Sequence, residues 1–366
     1  MAKSESKLQT AKKEAIKTAN TETIVGSGYF QEDDSLKHYI RKKFWRQRIE
    51  SLQRDSPSLK DGIKYFTFCS RHAFDIRYFQ SNKLLRTNSP FAFVEFLKDD
   101  FNFLNDIFLS RFASTGATGF YGSLADISTT PSHEEYGRFW STFPYDIINL
   151  DYLGDILKSN ASSGKIGNND FYSIQAIINQ QALLRRPYEL WITMRAKPGR
   201  YDPSIKQEFR KLINSNISEF DEFKREFKNN YNNKVNSDNL DDEHLFLIGY
   251  IKWICFICKT AFSSVSIPHL EVIKYLRTDK DGKDYYLYNL FLRIEPFDLT
   301  TIPSPASDAA QYCNTEYKKA IKKCFINPKD VGEDFKKLTA KERLILNQEI
   351  KLLSQQYNED NSGYLS

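Results

Sequence analysis

Long uncharged apolar runs are missing from this 366-residue chain. A membrane-crossing helix needs roughly 18 to 20 such residues. The most apolar window, Leu245 to Phe262, is broken by Lys252 and Lys259 and follows His244 directly. The opening MAKSESKLQTAKKEAIK is charged and has no apolar centre of the kind a secretory signal carries, so the expected address is cytoplasmic, with no membrane contact. Cysteine is scarce: there are five, an odd number that does not make a disulfide framework. Cys255 and Cys258 form a C-x-x-C inside the apolar segment WICFICKTAF, but no second pair stands at zinc-ligand spacing, which favours buried thiols over metal or redox chemistry. The histidines His72, His133 and His269 are too scattered to compose a metal site, and no nucleophile elbow marks a Ser/His/Asp arrangement. Glycine is also sparse, with 15 in the chain and none between Ile63 and Phe91.

A hydrophobic share of 40% with 14% aromatic residues is enough to fill a large core. The net charge of +5 is mild but unevenly spread, with Lys and Arg crowding SLKHYIRKKFWRQRIESLQR and recurring in EYKKAIKKCF and DFKKLTAKER. Those stretches are read either as solvated helix faces or as phosphate-contacting patches. Residues 1–34 are polar and read as a flexible basic tail, with a hinge at Gly26-Ser27-Gly28, and residues 35–60 as an N-terminal helix capped by Asp34 or Ser35.

Between residues 61 and 300 short apolar runs alternate with longer amphipathic ones. Strands are expected at Tyr65–Phe68, Phe91–Phe96, Gly119–Tyr121, Asp146–Leu150 and Leu190–Met194, with helices between them. Parallel strands need such crossovers, whose right-handed sense orders them into a doubly wound sheet. The spacing then predicts one long charged helix over 204–231, another over Glu243–Ala261, and two strands joined around the Asp281-Gly282 turn. Residues 301–366 read as a linker followed by charged C-terminal helices, with NEDNSGYLS expected to fray.

Five β/α units closed by an antiparallel hairpin resemble the class I S-adenosylmethionine-dependent methyltransferase fold, in divergent form and without its glycine-rich first motif. The resemblance implies an α/β domain with a mostly parallel seven-stranded sheet, its last two strands a hairpin, here carrying N- and C-terminal helical extensions. It also implies S-adenosylmethionine as cofactor, bound outside the carboxyl ends of the strands. At the first strand end Cys69, Ser70 and Arg71 occupy the turn, Arg71 or Arg77 being able to meet a cofactor carboxylate and Asp75 its amine. The second strand ends with Glu95, which matches the acidic residue that binds both ribose hydroxyls. Asp126 in GSLADIS matches the position facing the adenine amino group, although a helix cap is the plainer reading. The fourth strand, FPYDIINLDYLGDI, puts Asp151 and Tyr152 where the family lines its methyl-transfer pocket, whereas Asp146 reads as structural. At the fifth strand end Arg195, Lys197 and Arg200 suit a phosphate or carboxylate of a substrate.

The sequence has no Asn/Asp-Pro-Pro-Tyr/Phe motif and no Pro-Cys pair, so standard nucleobase methylation has no motif behind it. Two functions stay open. One is methyl transfer to a nucleic acid or another anionic substrate. The other is a catalytically inactive scaffold of the same fold that binds nucleic acid through its basic helices or binds a partner protein, as in a bacterial antiviral defence or DNA-modification system.

Overall fold

The computed structural model describes residues 32–85, 89–112, 116–152, 156, 170–195, 202–231, 236–238, 240–262, 264–278, 284–296 and 327–365. Lys197, Arg200, the hairpin tip, the linker after Pro296 and most of the N-terminal tail lie outside them.

The chain opens with α1 (Glu32–Ile40), a π-helical turn (Arg41–Trp45) and α2 (Arg46–Asp55), three segments of one continuous rod. The alternating core follows as β1 (Tyr65–Phe68), α3 (Phe74–Ser81), β2 (Phe91–Glu95), α4 (Lys98–Phe112), β3 (Thr118–Tyr121), α5 (Leu124–Thr129), α6 (Tyr136–Ser141), β4 (Ile147–Asp151), α7 (Asp170–Gln181) and β5 (Tyr188–Arg195). Next come α8 (Pro203–Glu219), α9 (Asp221–Asn230) and α10 (Asp242–Ala261), the hairpin strands β6 (Val265–Thr278) and β7 (Asp284–Pro296), then β8 (Lys329–Asp330), α11 (Val331–Lys336) and α12 (Ala340–Leu365).

The eight strands lie in the order β3-β2-β1-β4-β5-β7-β6-β8. β1 to β5 are mutually parallel, β7 runs antiparallel between β5 and β6, and β8 adds a short parallel edge at Ile273 and Lys274. Reversal of the strand order beside β1 makes the carboxyl ends of β1 and β4 the switch point, where open α/β sheets hold ligands. This is the expected architecture, with one strand more than the seven anticipated.

Alternate side chains divide the interior into two cores. Phe66, Ile148, Leu150, Leu190 and Ile192 face one side, under α5 to α10. Tyr65, Ile147, Trp191 and Phe291 face the other, under α1 to α4, α11 and α12. Trp45 stacks on Trp191 with ring centroids 5.9 Å apart, and Phe44 on Phe291 at 6.2 Å, so the N-terminal rod lies across β5 and β7. By length and composition α10 is apolar enough to cross a membrane, yet 72% of its apolar window is buried within the protein. Its Gly249 is a contact point, since a Cβ there would come within 2.5 Å of Phe209 on α8.

Two local expectations are corrected. The charged helix over 204–231 is two helices, because Phe220 takes an extended conformation and Asp221 and Glu222 open α9 at its positive end. The terminal NEDNSGYLS does not fray: α12 continues to Leu365, held by Arg77 on Asp360 at 2.6 Å, by Arg71 on Asn361 at 3.1 Å, and by Tyr364 edge-on to Phe103.

Candidate functional site

The carboxyl ends of β2, β1 and β4 are level with one another. Phe68 pairs with Val94 on one side and Thr67 with Asn149 on the other, so Glu95, Cys69 and Asp151 stand in one row across three adjacent strands. Two interstrand spacings of about 4.8 Å put the outer pair roughly 10 Å apart at backbone level.

Glu95 is 8% exposed and accepts the Leu97 backbone N–H at 2.8 Å. Burial pushes its carboxyl above the ordinary value, partly offset by the backbone N–H groups of the turn. Beside it Phe96 and Leu97 are exposed at 68% and 50%, two large apolar side chains left in water at the sheet's carboxyl edge. Lys98 lies 4.2 Å from the ring centroid of Tyr121 on the same rim.

The turn after β1 is built from side chains where the resembled family uses glycine. Ala73 carries the left-handed conformation, at φ 48°, that glycine accepts more readily. Ser70 is exposed, and its carbonyl accepts the Ala73 N–H. Arg71 donates to Asp100 at 3.0 Å, to Tyr357 at 3.1 Å and to Asn361, so its guanidinium is engaged by α4 and α12. Cys69 is buried and its thiol is pushed up by burial, with Asp75 and Glu95 adding to the rise.

Asp75 points beneath α3, accepting from Tyr65 at 2.9 Å and Thr67 at 3.0 Å, with burial raising its carboxyl. Asp126 is exposed and forms a reciprocal cap with Ser123, whose hydroxyl receives the Asp126 N–H at 3.1 Å and donates to its carboxylate at 2.6 Å. The Arg195 guanidinium carbon lies over the Tyr285 ring, 3.7 Å from its centroid. Lys197 and Arg200 fall outside the described residues.

The fourth strand end is the most elaborate part. The Lys37 ammonium sits 2.6 Å from each oxygen of Asp151. Burial alone would raise the Asp151 carboxyl, but Lys37, with Arg41 and Thr193, outweighs it and holds it below the usual carboxylate value. Buried polar side chains share this face of the sheet: Thr193 on β5 and Asn289 on β7 are level with Asp151, and Thr67 on β1 and Asn149 on β4 pair two residues further back along the strands. Asn149 donates to Tyr65 and Thr193 to Asn289, yet the Asn149 carbonyl and the Asn289 amide nitrogen, both buried, have no hydrogen-bond partner. A buried polar group gains from a partner, and both of these lie close to the Lys37–Asp151 pair.

Tyr152 turns to the opposite face, edge-on to Phe68 at 4.8 Å. Asp170, the first residue of α7, interacts with the Tyr152 hydroxyl. Burial, reinforced by the Asp126 charge, pushes its carboxyl up to about 6 although a helix N-terminus ordinarily favours the anion.

Sequence reasoning placed Glu95, Asp151 and Tyr152 at this edge, and the structure brings Glu95 and Asp151 into one row. It missed Lys37 and Arg41, hidden among the other cations of the basic helix, and Asp170, the first residue of α7. The buried polar side chains left a signal that could have been used, in Asn149 and Asn289 standing inside the apolar runs IINLD and LYNLFL. Among the described residues no group of three or more His, Cys, Asp or Glu could hold a metal, and Cys255 and Cys258 are buried in α10, the Cys258 thiol pushed up to about 12 by burial.

The cations of the basic rod are engaged within the chain. Lys42 bonds Glu349 at 2.7 Å, Arg46 bonds Glu50 at 2.7 Å, and Arg48 reaches Glu271 at 2.5 Å and Glu189 at 3.5 Å.

Comparison with curated protein sequences finds no match. Solved structures give faint likenesses. TrmN from Thermus thermophilus is 10% identical with a TM-score of 0.27, over 66% of this chain and 47% of that one, so this chain spans about half of TrmN. The precorrin-6y C5,15-methyltransferase of Geobacter metallireducens is 10% identical with a TM-score of 0.26, over 63% and 78% of the two chains. The B. subtilis tRNA methyltransferase TrmK is 11% identical with a TM-score of 0.30, over 85% and 96%. At such scores these likenesses carry no argument, and the fold rests on strand order and direction. A family model described as PP_RS20740-like matches residues 35–364, and the chain therefore belongs to the PP_RS20740-like family.

Proposed function

We propose that this protein binds S-adenosylmethionine across the carboxyl ends of β2, β1 and β4 and transfers its methyl group to a nucleic acid or another anionic acceptor. The observation that carries the reading is Glu95, a buried carboxylate at the end of β2 that accepts the Leu97 backbone N–H and is flanked by the exposed Phe96 and Leu97. A carboxylate next to bare apolar surface suits a nucleoside, since it can accept from both ribose hydroxyls while the apolar side chains cover the base. The donor set fits the cofactor's polar ends. Glu95 would hold the ribose and Asp151 with Lys37 would face the amino-acid end. When bound, S-adenosylmethionine supplies a methyl group activated on a sulfonium.

The chain's own residues would align and deprotonate the acceptor. Methyl transfer depends chiefly on alignment of donor and acceptor. Asp170, its carboxyl near 6 and its neighbour Tyr152 inside the same edge, is the group able to accept a proton from an acceptor at neutral pH. Asp151, held as an anion by Lys37, orients by charge. Arg195, against the Tyr285 ring at the end of β5, would bring a cation to an anionic acceptor, with Lys197 and Arg200 following it in sequence.

The test is calorimetric titration with S-adenosylmethionine and S-adenosylhomocysteine. Binding to the wild type is expected, weakened roughly ten- to hundredfold in Glu95→Ala, the loss of hydrogen bonds to a charged acceptor. Absence of binding at millimolar concentration rejects the reading. A second reading, a scaffold that binds nucleic acid or a protein without catalysis, is favoured by the β1 turn, where Arg71 and its three partners stand in place of a glycine loop. It requires partner binding that survives both Glu95→Ala and Asp151→Ala.

A further inference from the structure

The pair formed by Lys37 and Asp151 has two features that a purely structural bridge does not need. It opens to solvent at the rim, Asp151 keeping 21% of its side chain exposed and Lys37 10%. It also adjoins the buried Asn149 and Asn289, whose side-chain carbonyl and amide nitrogen have no protein partner. A buried polar atom without a partner is costly, and most folds fill such positions with apolar side chains. The cations come from the N-terminal rod, whose Lys37 and Arg41 are one turn apart, and Arg41 leads into the π-helical turn. Turns of that type carry an extra residue per hydrogen-bonded ring and recur at functional sites. Arg41 lies against the Trp45 and Phe74 rings and acts on both Asp151 and Asp75. α1 is held in place from its other side, where His38 meets Glu349 of α12 at 3.0 Å and Lys42 meets the same carboxylate at 2.7 Å.

An adjacent ammonium and carboxylate are the complement of an α-amino acid zwitterion. Here the two groups pair with each other. A ligand carrying its own ammonium and carboxylate can replace that internal pair by two external ones without leaving any charge unmatched. Asp151 stands in the same row as Glu95, roughly 10 Å away across β1, a span of the order of that between the ribose and the amino-acid group of an adenosyl amino acid. Resting on the adenosyl reading above, we infer that Lys37 and Asp151 form the amino-acid half of the cofactor site: the Lys37 ammonium, with Arg41 behind it, receives the ligand's carboxylate and Asp151 receives its ammonium. The N-terminal rod is then part of the binding site, and discrimination for the amino-acid group comes from outside the sheet. Arg71, bound to Asp100, Tyr357 and Asn361, and Arg77, bound to Asp360, are committed elsewhere.

Two ligands separate the halves of the site. S-adenosylhomocysteine carries the amino-acid group, and 5′-methylthioadenosine is the same nucleoside thioether without it. Both are titrated by calorimetry into the full-length wild type, Lys37→Met, Lys37→Arg and the double variant Lys37→Met with Asp151→Asn, with a thermal melt of each. The wild type is expected to prefer S-adenosylhomocysteine by at least roughly tenfold, the order expected of one charge-assisted pair. Lys37→Met and the double variant should lose that preference while their affinity for 5′-methylthioadenosine stays unchanged, and Lys37→Arg should recover it. The double variant leaves no unpaired charge, so it reports on the site even where Lys37→Met alone unfolds. Unchanged preference in the double variant overturns the inference. Equal weakening of both ligands also overturns it, assigning Lys37 a purely structural role. If the wild type binds neither ligand, the adenosyl reading itself falls and takes this inference with it.

Discussion

Glu189 shows how firmly single residues are held at the end of the sheet opposite the site. It is fully buried, accepts Arg293 at 2.8 Å and the Trp191 indole N–H at 3.1 Å, and lies 3.5 Å from Arg48, while Arg293 also reaches Asp55. Removing one member of a buried ionic group leaves the others uncompensated. Glu189→Ala is therefore expected to cost about 3 to 5 kcal/mol, read as a lower urea midpoint with little change in slope. A loss below about 1 kcal/mol would mean that the network is solvated and weak. Ala73 carries the opposite expectation. Its left-handed backbone is disfavoured for an L-residue by about 1 to 2 kcal/mol, and glycine's extra freedom in the unfolded chain costs about 0.5 to 1 kcal/mol. Ala73→Gly should therefore be neutral or stabilising by up to about 1 kcal/mol, although the residue is fully buried. A clear drop in melting temperature would show that the Ala73 methyl packs for more than its backbone costs.

At the scale of elements, α7 begins with the one carboxyl among the site groups that is pushed to about 6. Its folded value lies above the 3.8 of the free side chain, so between those two pH values the folded state holds a proton that the unfolded state has released. Stability should then fall as pH rises from about 4 to about 6, and Asp170→Asn should remove that slope. At pH 7.5 the variant is expected to be more stable by on the order of 2 kcal/mol, followed by chemical denaturation across the range. A wild type whose stability is flat over that window would place Asp170 in water. The α8–α10 contact offers a steric counterpart. Gly249→Ala would drive a methyl into Phe209, and about 1 to 3 kcal/mol of destabilisation is expected. These element contacts explain where the sequence could be read. The strands at Tyr65–Phe68 and Phe91–Glu95 announced themselves by apolar runs between turn residues, because a strand buried on both faces has no polar side to show. The break at Phe220 did not, since nothing in its composition distinguishes an extended phenylalanine from a helical one.

For the whole molecule, the N- and C-terminal helices cover one face of the sheet as one structure. α12 touches α1 through Asn347 and Glu349 at one end, and it reaches the β1 turn and α3 through Tyr357, Asp360 and Asn361 at the other. Cutting the chain before Ala340 would remove the buried Leu346, Ile350 and Leu353, bare the apolar side chains they cover, and leave Arg77 without its carboxylate. The loss should be on the order of 5 kcal/mol, and a truncated protein that melts with the intact one would show α12 to be an independent appendage.

Residue order alone determined the alternation of strands and helices, the antiparallel hairpin after them, and the carboxylates at the ends of β2 and β4, because periodicity and turn chemistry act over a few neighbouring residues. Tertiary structure alone decided what those carboxylates meet. Lys37 is 114 positions from Asp151, and Arg71 is 286 from Tyr357 and 290 from Asn361. No local pattern encodes such pairings. In the sequence the basic helix read either as a solvated face or as a phosphate-contacting patch; in the fold Lys37, Lys42 and Arg48 meet Asp151, Glu349 and Glu189, because a cation taken from water against the sheet demands a partner, while Arg46 and Arg54 stay at the surface.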